Sequence, residues 1–148
     1  MKAYVLNEAG GVENLVMTDI DTPEIGADEV LVETRAISIN PVHTKVRPTE
    51  AVLTLIMGTE ERPVILGWDI AGVVSAVGDA VNGFSVGDRV FGMVNFPGQG
   101  KAYAEYVASP AAHLAPVPEN IAFEEAAATT LAALTALQVL RGRVKAGD

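Results

Sequence analysis

The feature that most constrains this chain is a run of short, Val- and Ala-rich segments with glycines set between them, over residues 67–115. Gly72, Gly78, Gly83, Gly87 and Gly92 interrupt apolar stretches at 70–77, 86–91, 102–108 and 113–115. Such spacing predicts strands joined by tight bends, as in a small barrel or sandwich, because glycine tolerates bends and close backbone approach. The N-terminal part reads the same way. Residues 2–6 and 14–20 are plausible strands, and 28–39 is the clearest one. There Val30, Val32, Thr34, Ala36 and Ser38 alternate with Leu31, Glu33, Arg35, Ile37 and Ile39, a period of two rather than a helical one. Asn40-Pro41 ends that strand, since proline lacks the donor a ladder needs. Residues 42–66 read as irregular, with a short helix over 51–57.

At Phe123 the pattern changes. From Ala126 to Leu140 only Thr129, Thr130, Thr135 and Gln138 are polar and no residue is charged. Helix propensity is high, Glu124 and Glu125 suit the positive end of the helix dipole, and Gly142 suits its stop. A helix apolar nearly all round is expected to be covered on most sides. The expectation is a partner outside the small β domain, either a second domain or another copy of the chain. A helix tucked deep in its own domain is the alternative. The division is 1–122 for the β domain and 123–148 for a linking helix.

Charge and composition exclude several classes. Ten basic against 19 acidic side chains give a net charge of −9, which disfavours nucleic acid as a partner. No basic amphipathic stretch recommends a membrane surface, and no uninterrupted apolar run nears the ~20 residues of a membrane helix. The acidic residue in Met1-Lys2-Ala3-Tyr4-Val5-Leu6-Asn7-Glu8 does not fit a signal peptide, so the expected location is cytoplasmic. With no cysteine, disulfides and thiolate metal sites are excluded.

Four blocks resemble the medium-chain dehydrogenase/reductase superfamily and, within it, the zinc-free quinone oxidoreductases. They are Ile39-Asn40-Pro41-Val42-His43-Thr44-Lys45-Val46-Arg47; Pro63-Val64-Ile65-Leu66-Gly67-Trp68-Asp69-Ile70-Ala71-Gly72-Val73-Val74-Ser75-Ala76-Val77-Gly78; Phe84-Ser85-Val86-Gly87-Asp88-Arg89-Val90-Phe91-Gly92; and Gly100-Lys101-Ala102-Tyr103-Ala104-Glu105-Tyr106 with Pro116-Val117-Pro118 and Glu124-Glu125-Ala126-Ala127-Ala128. The resemblance implies a mainly β fold with peripheral helices, the GroES-like (alcohol dehydrogenase N-terminal) domain. It is expected as a partly open β-barrel followed by the linking helix, with the Rossmann domain absent from this chain. Zinc members place Cys where Asn40 stands and His where Trp68 stands, so no metal is expected.

The implied reaction is hydride transfer from NADPH to a quinone or an activated alkene. An enoyl or alkenal reductase is the nearest alternative, and a standalone GroES-like module that binds or oligomerises without catalysis is another. The small-molecule acceptor is expected between the two domains, and the protein is expected to be a homodimer. The expected catalytic residues are Asn40, whose amide both donates and accepts, and His43, which titrates near neutral pH. The alternatives are a turn Asn and a surface His. His43 departs from the acid usual in the family, and Lys45 from its Tyr. Asn40, Lys45, Arg47 and Thr135 are the expected cofactor contacts, Thr135 having the alternative of bonding back to its own helix. A strand, Gly-rich turn and helix for a dinucleotide are not found in the sequence, so the chain alone is expected to bind NADPH weakly or not at all. Trp68 and Tyr103 read as core or cleft wall, and the second and third blocks as scaffold.

Overall fold

The computed structural model describes residues 1–145. Two open antiparallel sheets carry the fold, and neither closes into a barrel. The smaller has strand order β2-β1-β4 and is built from β1 (Lys2–Leu6), β2 (Leu15–Asp19) and β4 (Val64–Ile65). The larger has order β7-β3-β5-β6-β8, from β3 (Glu29–Ile37), β5 (Asp69–Val77), β6 (Arg89–Met93), β7 (Tyr106–Pro110) and β8 (Leu114–Pro116). A bridge between Ala3 and Ala104 links the sheets.

The alternation seen in β3 holds in its first half, where Val30 and Val32 are buried and Leu31 and Glu33 are partly open. Irregularities in the β3–β5 register at Leu31/Val32 and Thr34/Ala36 bend the strand, as bulges do. Within the larger sheet β3 and β5 run close at Gly72, where a Cβ would stand 2.2 Å from the Glu33 carbonyl oxygen. Val30, Val32, Ile70, Val74, Val90 and Val107 make the main core.

Three boundaries differ from the sequence expectation. Residues 86–88 belong to a turn, and β6 begins at Arg89; Gly87, at φ +97°, fits a bend better than a ladder. The strand expected over 102–108 begins only at Tyr106, and residue 113 belongs to a 3-10 turn, Ala111–His113. Residues 42–66 are more ordered than expected, containing α1 (Pro41–Val46) and α2 (Glu50–Met57). Pro41 explains the first. β3 ends at Ile37, before the expected break at Asn40-Pro41, and Pro41 instead sits at the first helical position, where its missing donor costs nothing. Val46, Leu53 and Met57 from these helices pack on Leu6, Val64, Leu66 and Trp68 in a second core.

The final helix, α3 (Phe123–Leu140), starts and stops as expected. Glu125 Oε2 accepts the Ala122 N–H at 2.9 Å, closing its first turn. Ala126 and Ala127 pack on Ala71 and Val117, and Arg89 lies 4.6 Å from the Phe123 ring centroid. The second half projects away from this packing: Leu134, Leu137, Val139 and Leu140 are 40–57% exposed. The helix is thus not tucked into its own domain. The last three residues of the expected linking segment, 146–148, lie outside the described residues.

Candidate functional site

The site is built where β3 gives way to α1. Asn40 is the N-cap of α1, with extended backbone (φ −116°, ψ 160°). Its backbone N–H donates to His43 Nδ1 at 2.8 Å, so the third helical residue reaches back as in a capping box. That bond decides the tautomer. With Nδ1 accepting, the proton of neutral His43 resides on Nε2. Nε2 is buried and has no partner.

His43 is 3% exposed. It stacks on Trp68, with ring centroids 5.0 Å apart and planes 7° from parallel, and tilts against Tyr103 at 5.5 Å. Burial holds its pKa below the ordinary histidine value, against the opposing hydrogen bond from Asn40. The alternative of a surface loop histidine is excluded. Trp68 is fully buried, donates from Nε1 to Gly98 O at 2.8 Å and meets Phe96 edge to face at 5.1 Å. Burial pushes the Tyr103 phenol up to about 12.

Asn40 is 8% exposed. Its Nδ2 donates to Asp69 Oδ2 at 2.5 Å. Asp69, fully buried at the start of β5, also accepts from Thr130 Oγ1 and, at 3.0 Å, from the Leu131 N–H on α3. Burial raises the Asp69 pKa, while the bonds from Thr130, Leu131 and Asn40 oppose that rise. The Asn40 side chain keeps its oxygen and its second N–H for other partners.

The structure therefore brings Asn40 and His43 together and adds Asp69 and Thr130, which the sequence reading left as scaffold or plain helix. The available signal was Asp69 itself, a lone acid heading the otherwise apolar Asp69-Ile70-Ala71-Gly72-Val73-Val74. Lys45 is exposed on α1. Arg47 is turned elsewhere: its guanidinium donates to Gly10 O, and its carbonyl accepts the Gly10 N–H at 3.0 Å. Thr135 bonds back to Leu131 O at 2.8 Å on an exposed part of α3. A groove of about 620 Å³, bordered by Tyr4, Met17, Ile37, Ile39 and Tyr103, is not lined by Asn40 or His43. A second, about 570 Å³, lies between β6, β8 and α3, with Thr130 and Leu137 in its wall.

The alcohol dehydrogenase GroES-like domain model matches residues 26–119. The chain is 39% identical over 142 residues to an NADPH-dependent alkenal/one oxidoreductase of Arabidopsis thaliana, covering 92% of this chain and 36% of that protein. Among solved structures, the quinone oxidoreductase from Coxiella burnetii superposes with a TM-score of 0.90 at 34% identity, over 100% of this chain and 47% of that one. Escherichia coli quinone oxidoreductase complexed with NADPH gives 0.84 at 30% identity, over 98% and 42%. The chain thus spans less than half the length of each of these relatives. By the family match and by these likenesses, the chain belongs to the alcohol dehydrogenase GroES-like domain family, among the quinone oxidoreductase-like members of the medium-chain dehydrogenase/reductase superfamily.

Proposed function

We propose that this chain supplies the acceptor-facing part of an NADPH-dependent reductase that delivers hydride to a quinone or an activated alkene. One observation carries the reading. Asn40 is held on its backbone by His43 and on its side chain by Asp69, yet retains one amide N–H and its oxygen. A group fixed in this way is preorganised to meet charge developing on an acceptor oxygen. The names of the Arabidopsis, Coxiella and Escherichia coli proteins supply the substrate classes and the cofactor.

NADPH, when bound, supplies the hydride. The residues present fit its nicotinamide end. Asn40 offers a donor and an acceptor, and the orphaned Nε2 of His43 is a buried donor in need of an oxygen. Because burial favours its neutral form, His43 serves as a hydrogen-bond donor rather than a standing cation. Lys45, exposed on the same short helix, is placed to attract a phosphate or an anionic substrate. Arg47 and Thr135 have their polar atoms engaged internally, so any contact they make with the cofactor has to compete with those bonds.

The test is NADPH consumption by the protein that carries this domain together with a nucleotide-binding domain, with a quinone or an alkenal as acceptor. Asn40→Ala is expected to lower kcat about a hundredfold, the cost of losing one preorganised donor. Full activity in that variant would overturn the assignment. Preference between the two acceptors separates the quinone reading from the alkenal one. Turnover of neither, with the chain still self-associating, would favour a binding or oligomerisation module.

A further inference from the structure

A buried carboxylate has to be hydrogen-bonded to be tolerated, and the partners of Asp69 come from two elements distant in sequence. Asn40, at the head of α1, binds Oδ2. Thr130 and Leu131, in the middle of α3, bind Oδ1. The second pair is unusual. A mid-helix N–H normally serves its own helix, yet that of Leu131 lies 3.0 Å from the carboxylate. The Thr130 hydroxyl also has Ala127 O within reach at 3.1 Å, so its single proton has a local alternative to Asp69.

We propose that Asp69 is a positioning residue that sets the orientation of the Asn40 amide and ties that orientation to helix α3. The carboxylate selects Nδ2 over Oδ1, since an amide oxygen facing Oδ2 would meet like charge. Oδ1 of Asn40 and its second N–H are thereby turned to other partners. The opposite oxygen of the same carboxylate is held by α3, so a displacement of α3 moves Asp69 and the amide with it. Among the described residues, the buried apolar packing of α3 lies in its first half, while Leu134, Leu137, Val139 and Leu140 of its second half are exposed. The catalytic meaning of the link rests on the reductase reading above; the link itself does not.

The experiment follows the Asn40 side-chain amide by NMR in the 148-residue chain, with no cofactor present. In Asp69→Asn, exchange of the Asn40 side-chain protons is expected to accelerate about tenfold or more, as a charge-assisted bond is replaced by a neutral one. In Thr130→Val, at a residue whose described hydrogen bonds go to Asp69 and Ala127 and not to Asn40, the Asn40 side-chain exchange is expected to accelerate by less, with the spectrum of the β-sheets retained. Asn40 side-chain exchange equal to the wild type's in Thr130→Val would overturn the proposal, and this variant decides it if Asp69→Asn fails to fold. Unchanged exchange in a folded Asp69→Asn protein would overturn it equally. In the two-domain reductase, Thr130→Val is expected to lower kcat severalfold while leaving KM for NADPH in place. An equal loss at both would mark a merely structural role. Since the NMR readings need no turnover, failure of the reductase reading and failure of the link are separately visible.

Discussion

His43 lies flat on Trp68 with 5.0 Å between ring centroids, and the stack seals the imidazole away from water. The buried ring resists protonation, so its pKa lies below 6.5 in the folded chain, while an unfolded chain takes up the proton near that value. The unfolded state then binds more protons, and stability falls as pH drops below about 6.5 until the folded-state pKa is also passed. His43→Gln is expected to flatten this part of the profile. Denaturant unfolding of both proteins at several pH values between neutral and mildly acidic checks it; parallel profiles would sink the idea.

Tyr103 tilts against His43 at 5.5 Å between ring centroids, and its phenol is pushed up to about 12. Its ionisation is expected well above the ordinary tyrosine value. Alkaline titration of phenolate absorbance, compared with Tyr103→Phe, is expected to lose that high-pH phase in the variant. If the phase survives the substitution, Tyr103 is not the buried phenol described.

Gly67 turns the chain into Trp68 and Asp69 at φ +93°, and a Cβ there would stand 2.6 Å from the Tyr103 ring. Gly67→Ala is strained twice, by backbone conformation and by contact. A loss of about 2 kcal/mol is expected in denaturant unfolding, with an altered Tyr103 titration. A change below about 0.5 kcal/mol, the range of ordinary surface substitutions, would contradict the close approach.

On α3, Leu137 is 57% exposed. Replacing it by Glu is expected to change stability by no more than about 0.5 kcal/mol, as at other surface positions. The same change should lower self-association at high concentration, because it puts a charge on an exposed apolar face. Light scattering of the two proteins decides. A wild-type chain that stays monomeric at high concentration would remove the dimer expectation.

NADPH binding by the 148-residue chain is expected to be weak or absent, since the described residues contain no Gly-rich turn between a strand and a helix to cradle its phosphates. A titration that saturates at micromolar NADPH would refute this.

Local chemistry made much of this molecule legible in one dimension. The period of two in β3, the glycines at the bends and the charge-free run from Ala126 to Leu140 each reflect a pattern over near neighbours, where side-chain direction follows from backbone geometry. Asn40 and His43 stood out through the resemblance of the Asn-Pro block to the quinone oxidoreductases, which implies an active-site cleft at that strand end. Pro41 was half understood: as a strand breaker it was visible, as the first residue of a helix only once its neighbours were placed. The sequence alone thus determined strands β1, β2, β3 and β5 and the abrupt change at Phe123, and the family resemblance added the candidate pair on the Asn-Pro block; α1 and β4 were not legible. Tertiary structure decided the burial of His43 on Trp68, the tautomer that leaves Nε2 without a partner, and the meeting of Asn40, Asp69 and Thr130 from three separate stretches of chain. The physical reason is range. Propensity and periodicity act between near neighbours, whereas a buried carboxylate acquires its donors only when distant segments pack and exclude water.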